Sequence, residues 1–198
     1  MHKKNKIGKV STDDERYDWV ISGQSYLLAS SILAKQLLNA QEHLVEHQFL
    51  NSQLFKKSGF PPHPSYEIIA PIIYNLRHGI ELWLKALKIV HSDEYSYDHD
   101  LKNLLGDLIS TDSVSPETAD SIRSLWPIIA DYYSLNFIRG FTAITDKDNI
   151  IFRFPNSDSK KRLNKIESVD INLVRKLADD PLKINSLFRK IYLEIGKP

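Results

Sequence analysis

The sequence predicts an all-α protein with a long first helix. Three observations carry that reading. Apolar residues recur at helical spacing through most of the 198 residues, the one cluster of prolines (Pro61, Pro62, Pro64) falls between two such stretches, and β-type patterning gathers near residues 137–155. From Asp13 to Lys57 there is no proline and one glycine, while Trp19, Tyr26, Ile32, Leu33, Leu37, Leu44, Phe49 and Leu54 keep roughly the helical period. This is one helix, bent near Gly23. Gly59 to Pro64 forms a loop, because successive prolines fix the backbone and remove donors that a helix needs.

Ser65 can cap a second helix that runs to about His91, with Pro71 near its first turn or at a kink. Asp98-His99-Asp100-Leu101 opens a third helix carrying Leu101, Leu104, Leu105 and Leu108. Ser115-Pro116-Glu117-Thr118 supplies the cap, early proline and early acid of a fourth, which includes Trp126, Tyr132 and Tyr133. Phe141, Ile144 and the Ile150–Pro155 run then give a small hairpin or an extended insertion near 137–155. Ser157 to Lys165 is a polar, basic loop, and a last helix starts at Asp170 with Leu173, Leu177, Leu187, Phe188 and Ile191, broken or kinked by Pro181. Residues 1–12 read as a flexible basic tail and 13–198 as a single helical domain.

Composition excludes several classes of chemistry. With no cysteine, disulfides and thiolate metal sites are impossible, and a metal would have to use His and carboxylates; a reducing cytoplasm fits. No apolar stretch approaches the roughly 18 consecutive residues of a membrane span, so no membrane partner is expected. A net charge of +1 carries no global footprint for nucleic acid, although Lys3 to Lys9 and Lys160, Lys161, Arg162 and Lys165 are local basic clusters. No Gly-rich phosphate loop and no nucleophile elbow is present, and no cofactor is called for.

The second helix holds the most informative pattern. At 100° per residue, Glu67, Tyr74, Arg77, His78, Glu81, Lys85 and Lys88 fall within an arc of roughly 100°, and nearly all the remaining circumference is apolar. Either the seam is where this helix meets water, with Arg77–Glu81 and Glu81–Lys85 as ordinary surface pairs, or the helix is central and its seam lines a cleft or an interface. A histidine beside a carboxylate can act as acid or base near neutrality, and an arginine can hold phosphate with two parallel hydrogen bonds.

Leu76-Arg-His-Gly-Ile-Glu-Leu-Trp-Leu-Lys-Ala-Leu87, followed after a polar gap by His99-Asp-Leu-Lys-Asn-Leu-Leu105, resembles the core of the HEPN superfamily, and Phe152-Arg-Phe-Pro155 resembles a downstream element of some HEPN-like bacterial proteins. The resemblance implies a helical bundle that dimerises through its helices, in bacterial toxin–antitoxin or antiviral defence modules, many of whose members are metal-independent ribonucleases. It implies RNA or another nucleic acid as substrate, and a partner protein from the same module. The family's catalytic signature, an Arg followed four to six residues later by a His, is absent: no arginine of this chain has a His at that spacing. The site is therefore expected either to use Arg77, His78, Glu81 and His99 in another geometry, with Lys85, Arg153, Lys160, Lys161 and Arg162 gripping the ligand, or to be a non-catalytic site that binds a nucleotide, nucleic acid or protein.

Other patterns compete. His43-Leu-Val-Glu-His47 places two histidines one turn apart, as in some zinc sites, but with no identifiable third ligand, so no metal is assigned. His99 can cap the third helix or reach the seam. Trp83 and Trp126 lie in apolar helical runs and read as core.

Overall fold

In the computed structural model the protein is all-α, with two short antiparallel strand pairs. The structure describes residues 7–9, 12–58, 65–110, 114–133, 136–139, 142–145 and 171–195, and describes side chains for 12–39, 71–110, 114–133 and 172–195. In chain order these form β1 (Ile7–Lys9), α1 (Asp13–Ser58), α2 (Ser65–Ser92), β2 (Glu94–Ser96), α3 (Leu101–Ile109), α4 (Pro116–Arg123), α5 (Trp126–Tyr133), β3 (Asn136–Arg139), β4 (Thr142–Thr145) and α6 (Ile171–Ile195).

α2 is the central element. Ile72, Ile73, Leu76, Ile80, Trp83, Leu84, Ala86, Leu87 and Ile89 point around most of its circumference and are all buried. A helix apolar on so much of its surface must be covered from several sides. α1 supplies most of the cover, α3 and α6 pack on further sides, and α4 and α5 close the remainder of the core. Trp83 stacks on Phe188 of α6 at 5.4 Å with nearly parallel rings, and its Nε1 donates to Asn185 Oδ1 at 3.0 Å.

α1 and α2 meet through a reciprocal exchange of glycine and bulk. A Cβ placed on Gly23 would lie 2.9 Å from Trp83 Cδ1, and one placed on Gly79 would lie 2.8 Å from Leu27 Cγ and 3.0 Å from the Leu27 backbone nitrogen. Trp83 thus covers Gly23 and Leu27 covers Gly79, each pair one helical turn apart on its own helix. Two buried serines next on α1 tie it to both neighbours: Ser30 Oγ donates to the Ile72 carbonyl of α2 at 2.9 Å, and Ser31 Oγ to the Ala178 carbonyl of α6 at 2.5 Å.

Several local expectations change. Pro181 does not break the last helix, which runs unbroken from Ile171 to Ile195. The proline removes the N–H that would bond the Leu177 carbonyl, but burial of Leu177, Ala178 and Ile184 against the core holds the helix together, and Ser31 bonds the carbonyl one residue on. The expected fourth helix is divided into α4 and α5. Pro127, at the second position of α5, cannot donate back to Arg123; instead the Leu125 N–H turns to the Ile122 carbonyl at 3.1 Å and Ser124 Oγ bonds the Ser121 carbonyl at 2.6 Å. A hairpin pairs residues 136–139 with 142–145, Asn136 opposite Thr145 and Arg139 opposite Thr142, at the start of the stretch where the sequence places one; the Ile150–Pro155 run lies outside the described residues.

Residues 7–9, within the stretch read as a basic tail, form β1 and pair antiparallel with β2, Ile7 opposite Ser96 and Lys9 opposite Glu94. The open edge of β2 offers unpaired backbone groups that a short strand satisfies. Between α2 and β2 the chain turns at Asp93, the one described non-glycine residue with positive φ (57°), and Arg16 of α1 pairs with its carboxylate. Aspartate is among the few residues that occupy this conformation readily.

α3 contains a glycine with a different role. A Cβ on Gly106 would meet nothing within 4 Å, and its helix position is exposed. Gly106→Ala is expected to raise unfolding stability by about 0.5–1 kcal/mol, because alanine lowers the backbone entropy of the unfolded chain and favours the helix; thermal or denaturant unfolding measures it.

Candidate functional site

The charged seam of α2 is buried, not a solvent-facing surface. Arg77 is 1% exposed, and Glu81 and Lys85 are likewise buried. Glu81 is the hub. Its Oε1 accepts from Lys85 Nζ at 2.7 Å and lies 2.9 Å from His99 Nδ1, while Oε2 faces His78 Nδ1 at 3.5 Å, the long end of a hydrogen bond. His78 and Lys85 reach Glu81 because residues three and four apart share one side of a helix.

Burial by itself raises the Glu81 pKa. The contacts with His78, the nearby Lys85 ammonium and the His99 bond outweigh it and hold this carboxyl at about 2, against an ordinary 4.5. Glu81 is therefore ionised throughout the neutral range.

His99 arrives from a distant part of the chain. β2 delivers the backbone to Ser96, whose Oγ accepts from the Asp98 N–H at 3.1 Å. Asp98 then organises the turn: Oδ1 accepts from the N–H groups of His99 (2.7 Å) and Asp100 (3.0 Å), and Oδ2 from Asn103 Nδ2 (3.0 Å). Partial burial opposes ionisation of Asp98, and these donors together with His99 overcome it and keep its pKa below the usual carboxylate range. Asp100 caps α3 through the N–H groups of Lys102 and Asn103, and its other oxygen accepts from Tyr133 of α5 at 3.1 Å. The His99 backbone is thus held on both sides by capping carboxylates.

The chemistry of the pair follows from its acceptor. An ionised carboxylate facing Nδ1 selects the tautomer that carries its proton there, so neutral His99 presents a lone pair on Nε2. The ring is 44% exposed, and among the described residues no hydrogen bond engages Nε2. This is a carboxylate–imidazole dyad whose carboxylate is buried and whose imidazole is partly exposed. The arrangement suits general acid–base work.

His78 is enclosed differently. Its ring stacks on Tyr74 at 5.3 Å and meets the edge of Tyr26 of α1 at 4.6 Å. Tyr26, Tyr133 and the loop-organising Asp98 belong to the site's surroundings; the sequence marks Asp98 as part of the start of α3 but assigns none of the three to the site. Tyr26 looks like any other apolar-phase residue of α1, and Tyr133 lies in an aromatic pair that reads as core.

The structure thus brings together His78, Glu81, Lys85 and His99, with Arg77 buried on the same helix. Lys88 lies apart and faces Asp107 at 3.9 Å. Arg153, Lys160, Lys161 and Arg162 lie outside the described residues, as do the side chains of Glu67, His43, Glu46 and His47. Among the described residues no group of three or more His, Asp or Glu side chains is placed to hold one metal ion, and no helix is long and apolar enough to cross a membrane. Compared with protein-family models, curated proteins and solved structures, the chain has no match.

Proposed function

We propose that this is a HEPN-like helical protein of a bacterial defence or toxin-type module that acts on RNA, with His99 as its acid–base group and Glu81 orienting it. The observation that carries this reading is the 2.9 Å contact between the buried Glu81 carboxylate and Nδ1 of His99, whose side chain is 44% exposed. In this reading Nε2 of His99 takes the proton of a ribose 2′-hydroxyl as that oxygen attacks the adjacent phosphorus, forming a 2′,3′-cyclic phosphate as the bond to the 5′-oxygen breaks, and the departing 5′-oxygen takes a proton from solvent water. Lys85 holds Glu81 in place from within the protein, so in this reading the grip on phosphate falls to other cations, for which the sequence offers Arg153, Lys160, Lys161 and Arg162.

A second reading, a non-catalytic module that binds a nucleotide, nucleic acid or partner protein, draws support from the burial of Arg77 and from the missing Arg-to-His spacing. Incubation of the purified protein with mixed RNA separates the two. The enzyme reading expects cleavage that His99→Ala lowers by about 100-fold or more, the ordinary share of a general acid–base group, with circular dichroism unchanged. Absence of cleavage by the wild type, or cleavage unaltered in His99→Ala, rules that reading out; retained RNA binding without cleavage then favours the second.

A further inference from the structure

The basic run at the start of the chain has no part in the site as described so far. β1 is its last stretch, and β1 lies on β2, the strand that leads to His99. Lys9 is paired with Glu94, Gly8 with Tyr95 and Ile7 with Ser96. Beyond the Ile7–Ser96 pair the ladder points toward residue 4 on one side and toward His99 on the other. Carried three steps further, the same register sets Lys6 opposite Tyr97, Asn5 opposite Asp98 and Lys4 opposite His99. Residues 1–6 themselves lie outside the described residues.

The surface along that path suits a cation. Alternate residues of a strand share a face, and the Tyr95 and Tyr97 rings lie 5.2 Å apart with their hydroxyls 3.2 Å from each other. Trp19 of α1 continues the row, 5.1 Å from Tyr95. The rings are tilted by 40° and 58°, so none of the three is stacked flat on another, and Tyr97 is 54% exposed. Gly8, opposite Tyr95, contributes no side chain to this row. An aromatic face attracts an ammonium group. Charge agrees: residues 93–100 hold four carboxylates, Asp93, Glu94, Asp98 and Asp100, and no Lys or Arg, whereas residues 1–9 hold four lysines and no acid.

We propose that residues 3–6 dock on this aromatic, acidic surface by continuing the β1–β2 ladder, with Lys6 on Tyr97 and Lys4 beside His99, and that Lys4 is a phosphate-binding group of the site. The occupant is the chain's own segment because β1 is already fixed beside β2. Three residues, about 10 Å of extended backbone, separate Ile7 from Lys4, and a segment tethered so closely outcompetes a free basic peptide through its effective concentration. The lysines also change what can approach His99. Alone, the carboxylates of residues 93–100 repel a phosphate; with the segment in place that charge is offset, and Lys4 stands next to the imidazole. The docking is independent of the RNA reading, whereas the phosphate role rests on that reading's taking nucleic acid as the ligand.

Nuclear magnetic resonance of the full chain tests the docking. Lys6→Ala is expected to shift the Tyr97 ring signals and Lys4→Ala those of His99, while Tyr132 and Tyr192 stay unchanged. Because the chain has no cysteine, introduced pairs report the register. Opposite residues of an antiparallel pair lie within disulfide reach. Lys6→Cys/Tyr97→Cys is therefore expected to cross-link on oxidation about tenfold faster than Asn5→Cys/Tyr97→Cys, whose first position falls on the other face. For the phosphate role the probe is a single-stranded oligodeoxynucleotide, which lacks the 2′-hydroxyl and is not cleaved. Its binding is expected to weaken with salt, and Lys4→Ala to flatten that dependence by about 0.7 in logarithmic slope, the share of one phosphate contact; Lys190→Ala on α6 leaves it unchanged. A wild type that binds this probe through Lys4 yet cleaves no RNA supports the proposal and removes only the enzyme reading. Ring signals indifferent to the lysines, equal cross-linking rates, a probe that does not bind, or a salt dependence that ignores Lys4 overturns it.

Discussion

Glu81→Ala is expected to lower the unfolding stability by about 3–5 kcal/mol, the largest effect of any single substitution in the seam. The magnitude comes from what remains. Lys85 Nζ, buried on the same helix, loses the carboxylate 2.7 Å away, and no other described anion pairs with it; His99 loses the acceptor that orients it. The same physics gives a pH dependence. The folded-state pKa of about 2 lies below the ordinary 4.5, so the folded protein binds this proton more weakly than the unfolded chain does. The stabilisation is complete above pH 4.5 and is lost as pH falls toward 2, and the gap corresponds to about 3 kcal/mol. Denaturant unfolding from pH 7 down to pH 2 is expected to show that acid limb in the wild type and a flatter one in Glu81→Gln. Removing both charges, as Glu81→Leu/Lys85→Met, is expected to be less damaging than Glu81→Ala, because no buried ion is then stranded. A double variant less stable than the single one would show that the seam is held by packing and not by charge.

The helical period alone gathered Arg77, His78, Glu81 and Lys85 onto one arc, since positions three and four apart must share a face. It left open whether that arc met water or protein. The answer depends on what α1 and the 97–100 turn bring over it, and both are contacts between residues distant in sequence: Tyr26 on His78, and His99 on Glu81 eighteen residues away. The Asp98 and Asp100 pattern marked the start of α3 correctly, because capping is a local interaction, and the same local chemistry places His99. Elsewhere tertiary packing overrode local rules. Pro181 is a helix breaker by its own chemistry, but sits where buried neighbours on both sides hold α6 together. Pro127 did act as a local breaker, yet the Ser115 cap and the apolar run after it pointed to one helix. β1, three residues with no alternation to read, is defined by its partner strand and not by its own sequence.

The second large effect is expected at Gly79, and it bears on the site as much as on the fold. Gly79 lies next to His78 in sequence but on the apolar side of α2, and its α-carbon faces α1 so closely that an added methyl would stand 2.8 Å from Leu27 Cγ and 3.0 Å from the Leu27 backbone nitrogen. A side-chain atom can rotate away; a helix backbone cannot yield unless α1 moves as a whole. Gly79→Ala gains alanine's better helix propensity, about 1 kcal/mol, but overpacking a rigid helix contact loses more, typically 1–3 kcal/mol and occasionally beyond. The steric term is expected to win here because the contact includes backbone, giving a net loss of about 1–3 kcal/mol in denaturant unfolding, opposite in sign to Gly106→Ala. Displacing α1 also withdraws Tyr26 from the His78 ring, which it now meets edge-on at 4.6 Å. His78 chemical shifts are therefore expected to change in Gly79→Ala while those of His99, held by Asp98 and Glu81, stay near their wild-type values. Stability unchanged or raised in Gly79→Ala would mean that α1 and α2 do not cross as closely as the Gly23–Trp83 and Gly79–Leu27 contacts require, and the enclosure of the seam by α1 would fall with it.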